Sequence, residues 1–259
     1  MNKVKYLNDV LTPFEAEHLI KDLEPISFEE YTSTKMIKKH SILERLNMQS
    51  VKNALGGSDD YILEYFVTYE KITDLIRELL ISRLWKDKAY PLIKQEICEI
   101  SSVKTYVCLY HEAVIINMLE NFLFHLTACQ AAGDYLIEIV EYAYQRVAKL
   151  VMDVESGKYK KFVENSVKEK TKDEILKVNE VEEMDYKVYE LELPIALSCI
   201  SVIRYVSDHL SALPFPVRHH MINVKDVLLV LIPMLEARPW IKKDRNGMIL
   251  FVKLNIFTF

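Results

Sequence analysis

Residues 110–151 read YHEAVIINMLENFLFHLTACQAAGDYLIEIVEYAYQRVAKLV, the most apolar and most regularly periodic stretch of this 259-residue chain. Ile115, Met118, Leu119, Phe122, Leu123 and Leu126 recur at three- and four-residue spacing, which places them on one helical face. Gly133-Asp134 interrupts the pattern. Glycine suits the left-handed position past a helix end, and aspartate accepts from the free N–H groups of a following first turn. A second helix carries Leu136, Ile137, Val140, Ala143, Tyr144, Val147 and Leu150. The spacing predicts an αα-hairpin, two apolar-striped helices joined by a short turn. At roughly 1.5–3 kcal/mol per fully buried large side chain, these residues dominate local stability, and the remaining chain is expected to pack on this pair.

Upstream, Thr12-Pro13-Phe14-Glu15 forms a helix start: Thr12 caps, Pro13 suits the first helical position, and Glu15 completes a capping box. That helix carries Leu19, Ile20 and Leu23 and stops before Pro25. Ser41-Ile42-Leu43-Glu44 reads as a second capping box, opening a helix with Leu43, Leu46 and Val51 that ends at Gly56-Gly57. Ser58-Asp59-Asp60 caps the next, with Leu63, Phe66 and Val67. Ile72, Leu75, Ile76, Leu79, Leu80 and Leu84 make another, which Pro91 is expected to close. Leu92 to Val107 is β-branched and aperiodic and reads as loop plus a short helix.

Downstream the composition shifts. Residues 153–187, DVESGKYKKFVENSVKEKTKDEILKVNEVEEMDYK, alternate Lys with Glu/Asp over a faint apolar period (Phe162, Val163, Val167, Ile175, Val178, Val181), as in a solvated helix or a flexible insert. Packing resumes at Val188, with Leu191, Ile195, Leu197, Ile200, Ile203, Val206 and Leu210 on a buried helix. Pro194 is expected to kink that helix or to mark its first turn. Pro214 and Pro216 punctuate a loop. Asn223 is expected to cap a helix bearing Val227, Leu228, Val230, Leu231 and Leu235, with Pro233 near its end and Arg238-Pro239-Trp240 terminating it. A turn over residues 242–247 leading into Met248–Val252 then reads as a β-hairpin. The apolar end (Leu254, Ile256, Phe257, Phe259) must either dock on the helices or belong to a truncated form of something longer, because bare it would aggregate. The organisation expected is a helical-repeat-like domain over 1–240, with a charged insert at 153–187, and a divergent tail over 241–259.

The totals agree with this picture. Half of the residues are hydrophobic, 27% are charged and only five are glycine, which favours helices over turn-rich β folds. A net charge of −5 argues against a nucleic-acid-binding domain, which needs a basic face. No apolar run reaches the ~18 residues of a membrane span, and the N-terminus lacks the apolar region of a signal peptide. Cys98, Cys108, Cys129 and Cys199 lie far apart in apolar contexts, as buried free thiols of a reducing compartment do.

No constellation of residues names a reaction. His111-Glu112 lacks the second histidine of a zinc-protease helix, since Ile115 stands there. His219-His220 have no ligand partner at metal spacing and read as loop surface. His125 and Cys129 read as core, and Trp85 and Trp240 as packing anchors. No C-x-x-C pair, phosphate loop, dinucleotide fingerprint or nucleophile elbow occurs. No catalytic, cofactor-binding or metal-binding residue is therefore assigned. If the chain is an enzyme, the candidates are Cys108, His111 and Glu112, converging in a pocket.

Several strings do have a family character: Leu46-Asn47-Met48-Gln49, Leu84-Trp85-Lys86, the His111–Glu120 segment HEAVIINMLE, Ala196-Leu197-Ser198 followed by Arg204-Tyr205-Val206-Ser207-Asp208, and Leu235-Glu236 to Pro239-Trp240. In order and spacing they resemble the N-terminal half of the zinc finger MYND domain-containing protein ten family of axonemal dynein assembly factors. The match covers roughly Leu11 to Trp240. The resemblance implies a cytoplasmic, non-enzymatic adaptor, near the centrosome or centriolar satellites of ciliated cells. It would act in pre-assembly of axonemal dynein arms for motile cilia. The implied partners are axonemal dynein chains, a leucine-rich-repeat assembly factor, an immunophilin co-chaperone and the ninety-kilodalton heat-shock chaperone. The family's C-terminal MYND finger binds zinc. This chain carries no such cysteine cluster, so no cofactor is expected in it, and a fragment, splice form or unfinished gene model is expected. The predicted fold is all-α, an irregular stack of antiparallel helix pairs in the armadillo or HEAT manner, with a short C-terminal β-hairpin. The alternatives are a generic helical interaction module and a helical enzyme with its site at Cys108, His111 and Glu112.

Overall fold

Thr12 opens the first helix as its neighbours predict: its hydroxyl accepts from the Glu15 amide (3.3 Å) and the Glu15 carboxylate accepts from the Thr12 amide (3.0 Å). The computed structural model describes residues 10–167, 179–243 and 249–251. Its helices are α1 (Pro13–Lys21), α2 (Thr34–Gly56), α3 (Tyr61–Thr68), α4 (Lys71–Leu84), α5 (Tyr90–Leu123), α6 (Leu126–Ala132), α7 (Tyr135–Glu155), α8 (Lys158–Val167), α9 (Glu180–Asp208), α10 (Phe215–His219) and α11 (Val227–Ala237). Wide π turns over Trp85–Ala89 and His220–Val224 follow α4 and α10. Strands β1 (Ile241–Lys243) and β2 (Ile249–Phe251) pair antiparallel, with Ile241 opposite Phe251, so the short C-terminal hairpin is present. The fold is an all-α helical stack, as expected. The turn of the hairpin, the middle of the charged insert (168–178, with Ile175 and Val178) and the apolar end at 252–259 lie outside the described residues.

The central stretch forms helices, but not the simple hairpin its periodicity predicts. α5 stops at Leu123. The short α6 then turns away at 120° and carries Leu126. Gly133 does take a positive φ (55°) at the end of α6, but the Asp134 side chain makes no cap bond to α7. The long α9 packs against both α5 and α7. A main core runs through Leu119, Phe122, Val140, Val147, Cys199 and Val202, and a smaller one gathers Tyr31, Trp85, Cys98, Cys108 and Met184. Among the described residues no single helix is long and apolar enough to cross a membrane. One bent pair, Lys71–Leu123 with Leu126–Ala132, meets the length and composition only together.

Several boundaries differ from the sequence reading. α2 begins at Thr34, where the Ser33 hydroxyl accepts from the Met36 amide. Ser41 and Glu44 fit the capping-box pattern but sit inside the helix. Gly57 ends α2 with φ 61°, as read. Asp60 caps α3, its carboxylate accepting from the Leu63 amide. Pro91 does not close a helix; it occupies the first turn of α5, where a missing N–H costs nothing. Residues 92–107 are helical apart from one break at Ser101 (φ −167°, ψ 102°). There the Ser101 hydroxyl accepts from the Lys104 amide, capping the second half of α5. The Thr105 hydroxyl lies 3.1 Å from the Ile97 carbonyl and 2.9 Å from that of Ser101, restoring a donor to the interrupted ladder. Pro194 lies inside α9 rather than in its first turn. The 214–216 prolines lead into α10 rather than a loop. Asn223 is part of a π turn, and the residue before α11 is Asp226, in a left-handed conformation (φ 44°) without a side-chain cap bond.

Candidate functional site

His111 and Glu112 lie in the middle of α5 and are fully buried. Consecutive helical residues point about 100° apart, so the two side chains enter different layers and organise two separate polar clusters.

The first cluster joins α2, α4 and α5. The Glu78 carboxylate lies 2.8 Å from His111 Nε2 and also accepts from the Lys39 ammonium. Lys39 donates a further bond to the Glu24 carbonyl (2.7 Å). His111 Nδ1 faces His40 Nδ1 at 3.0 Å. The Glu78 carboxylate accepts from the N–H at His111 Nε2, and a single N–H bridges the two facing Nδ1 atoms of His111 and His40. Burial, then the neighbouring His111, push the His40 imidazole down to about 3, so it stays neutral. Burial alone would raise the Glu78 carboxyl, but His111 and Lys39 hold it lowered. The cluster therefore sets the Glu78 carboxylate against Lys39 and His111, with a neutral His40 ring beside them.

The second cluster joins the Trp85–Ala89 turn, α5, α7 and α9. In that turn the Tyr90 amide donates to the Trp85 carbonyl, five residues back. The added residue rotates the helix so that Trp85 and Lys86, neighbours in sequence, both point inward. Lys86 meets Glu112 and lies 3.1 Å from Glu192. Arg146 of α7 pairs with Glu112 and stands 3.8 Å from Glu192 and 3.7 Å from Asp87. The Tyr142 hydroxyl donates to Glu112 (2.6 Å), and Lys149 reaches Glu192 from the rim (3.1 Å). Three cations (Lys86, Arg146, Lys149) thus balance three carboxylates (Glu112, Glu192, Asp87). Burial would raise the Glu192 carboxyl, but Lys86, Arg146 and Lys149 hold it at about 2.

These clusters brace helices. A buried ion pair stabilises little relative to apolar packing, yet removing one partner costs about 3–5 kcal/mol because the other charge stays buried. No charge in them is left over for a substrate, and His111 and Glu112 are closed off from solvent. Cys108 is buried as well. Its thiol lies 3.8 Å from the Tyr31 carbonyl, and burial pushes it up to about 12, far from a thiolate nucleophile. The three residues named as an enzyme site therefore do not converge in an open pocket. Lys39, Glu78, Lys86, Arg146 and Glu192 were not singled out from sequence. Their signal was present, because Glu78 stands in phase with Leu75, Leu79 and Ser82, and Arg146 with Ala143, Val147 and Leu150. A charge on the apolar stripe of a helix marks a buried partner.

The other candidates fall as follows. Cys98, Cys108, Cys129 and Cys199 are free and buried, and Trp85 is a core anchor, as read. His125 is exposed at the start of α6, where its backbone begins the helix, and not in the core. His220 has an acidic partner after all, Glu141, at 3.0 Å. Among the described residues no group of three or more His, Cys, Asp or Glu side chains is placed to hold a metal ion. What stays open is surface: the outer face of α11 presents Leu228, Leu229, Ile232 and Leu235 to solvent.

No protein-family model matches the chain, and no solved structure matches it. It is similar to the zinc finger MYND domain-containing protein 10 homolog of Drosophila melanogaster, 23% identical over 241 residues. The match takes in 93% of this chain and 51% of the relative, so the chain spans about half the length of the curated relative it matches. The likeness found in the strings around His111 and Arg204 thus extends along nearly the whole helical chain.

Proposed function

We propose that this chain is a non-enzymatic adaptor, the helical part of a MYND-type zinc-finger assembly factor that acts in the cytoplasm in pre-assembly of axonemal dynein arms. The observation that carries the reading is the similarity over 93% of the chain to the fly zinc finger MYND protein. The centre of the fold supports it: HEAVIINMLE, one of the strings that resemble that family, lies in the core helix α5, where His111 and Glu112 brace neighbouring helices. A stack of helices held rigid from inside leaves its long outer surfaces for partners. The partners proposed are axonemal dynein chains, a leucine-rich-repeat assembly factor, an immunophilin co-chaperone and the ninety-kilodalton heat-shock chaperone. Zinc would enter only with a finger outside these helices.

The test is genetic. Disrupting the gene in an animal with motile cilia should leave cilia of normal number and length that do not beat and lack dynein arms in cross-section. Normal arms in the null animal contradict the assignment.

A further inference from the structure

A cavity of about 240 Å³ opens beside the break in α5, against the Trp85–Ala89 turn. Trp85, Ile97 and Cys108 line its inner part, Ile100 and Thr32 its exposed edge, and Lys104 is the one charged residue of the lining. The Ser101 and Thr105 hydroxyls there are engaged with backbone, Ser101 accepting from the Lys104 amide and Thr105 lying 3.1 Å from the Ile97 carbonyl. The cavity is thus apolar except at Lys104.

Its size decides what fits. Pockets for whole small molecules run to roughly 300–1,000 Å³, whereas an apolar cavity of about 150 Å³ takes one benzene ring. This cavity holds one aromatic ring and little more. The surface around it stays apolar: Ile100 and Val103, on either side of the break, are 74% and 73% exposed. One buried aromatic anchor with an apolar surround is the pattern of a protein contact. Charge decides what accompanies the ring. Lys104 stands three residues after the cap Ser101, where Glu or Gln is favoured and the helix dipole opposes a cation. Among the described residues no carboxylate pairs with it. An anion brought by a partner would relieve both. We propose that this cavity is a docking site for one aromatic side chain of a partner protein, with a neighbouring carboxylate of the same segment paired to Lys104. The inference rests on the cavity and not on the dynein role proposed above.

The test titrates the blocked peptide Gly-Ser-Phe-Asp-Ser-Gly into the full chain carrying Trp240→Phe, so that Trp85 is the remaining tryptophan and reports from the cavity wall. A saturable change in its emission is expected, absent when Ala replaces the peptide's Phe and at least five-fold weaker in affinity when Asn replaces its Asp. Lys104→Glu completes a capping box with Ser101 and so leaves the helix intact. It should weaken the Phe-Asp peptide at least five-fold and turn the preference toward a Phe-Lys peptide. No saturable change with the Phe-Asp peptide, or equal binding before and after Lys104→Glu, overturns the proposal. So does N-acetylphenylalanine binding as tightly as the peptide, since the cavity then takes a free aromatic acid. Failure of the dynein role would leave each of these titrations unchanged.

Discussion

At the scale of single residues, the chain is governed by a few side chains whose charge is buried and matched. Glu112 pairs with Lys86 while accepting from Arg146 and Tyr142. Glu112→Gln keeps the shape but leaves two cations facing Glu192, and it is expected to cost about 3–5 kcal/mol, read as a lower denaturant midpoint with unchanged slope. A shift under 1 kcal/mol would mean that water reaches the cluster. His40 makes a second prediction. Its folded value, about 3, lies below its ordinary 6.5, so folding favours the neutral ring. That contribution is complete above 6.5 and is lost as pH falls through the window between 6.5 and 3. From pH 7 to 5 the loss is about 2 kcal/mol. The groups facing His40 are His111, Glu78 through His111, and the Tyr110 ring. Glu78 works against the shift, and His40→Gln should flatten the pH dependence measured by chemical denaturation. None of these pairings could be read from the sequence, because Lys86 and Glu192 are 106 positions apart. The in-phase charges at Glu78 and Arg146 did mark which residues to expect inside.

At the scale of elements, local chemistry was legible wherever a cap or a left-handed residue acts alone. Thr12, Asp60 and Gly57 all end or begin helices where their residue types predict. Reading failed where tertiary packing overrides a local signal. Ser41-x-x-Glu44 is a sound capping box by pattern, but Met36, Lys39 and His40, just upstream of it, are buried against other helices and hold α2 helical through it. Pro91 stops nothing because the π turn before it delivers the chain already helical. The break in α5 is the clearest case of an element set by one residue: Ser101 is extended and caps the half-helix that follows. Ser101→Ala should therefore cost about 1 kcal/mol and raise amide exchange at Lys104 without affecting Asn117 or Leu119. Uniform exchange across α5 would show that the break carries no local stability.

At the scale of the whole molecule, the prediction of an all-α stack holds because apolar periodicity over 110–151 is strong enough to specify helices whatever packs on them. Which helices neighbour which was not legible. Periodicity says that a face is buried, not by what, and α9 arrives from far along the chain to pack against both α5 and α7. Function is legible only through likeness, since no motif in the sequence names a reaction. The central claim is that these helices themselves carry the adaptor surface. Affinity purification of this chain from the cytosol of ciliated cells, with mass spectrometry of what co-purifies, tests it most directly, with Leu119→Asp as the control that buries an unpaired charge and unfolds the core. The account predicts axonemal dynein chains and chaperones with the wild-type chain and their loss with Leu119→Asp. Their absence from the wild-type preparation, or equal recovery with the unfolded control, would contradict it.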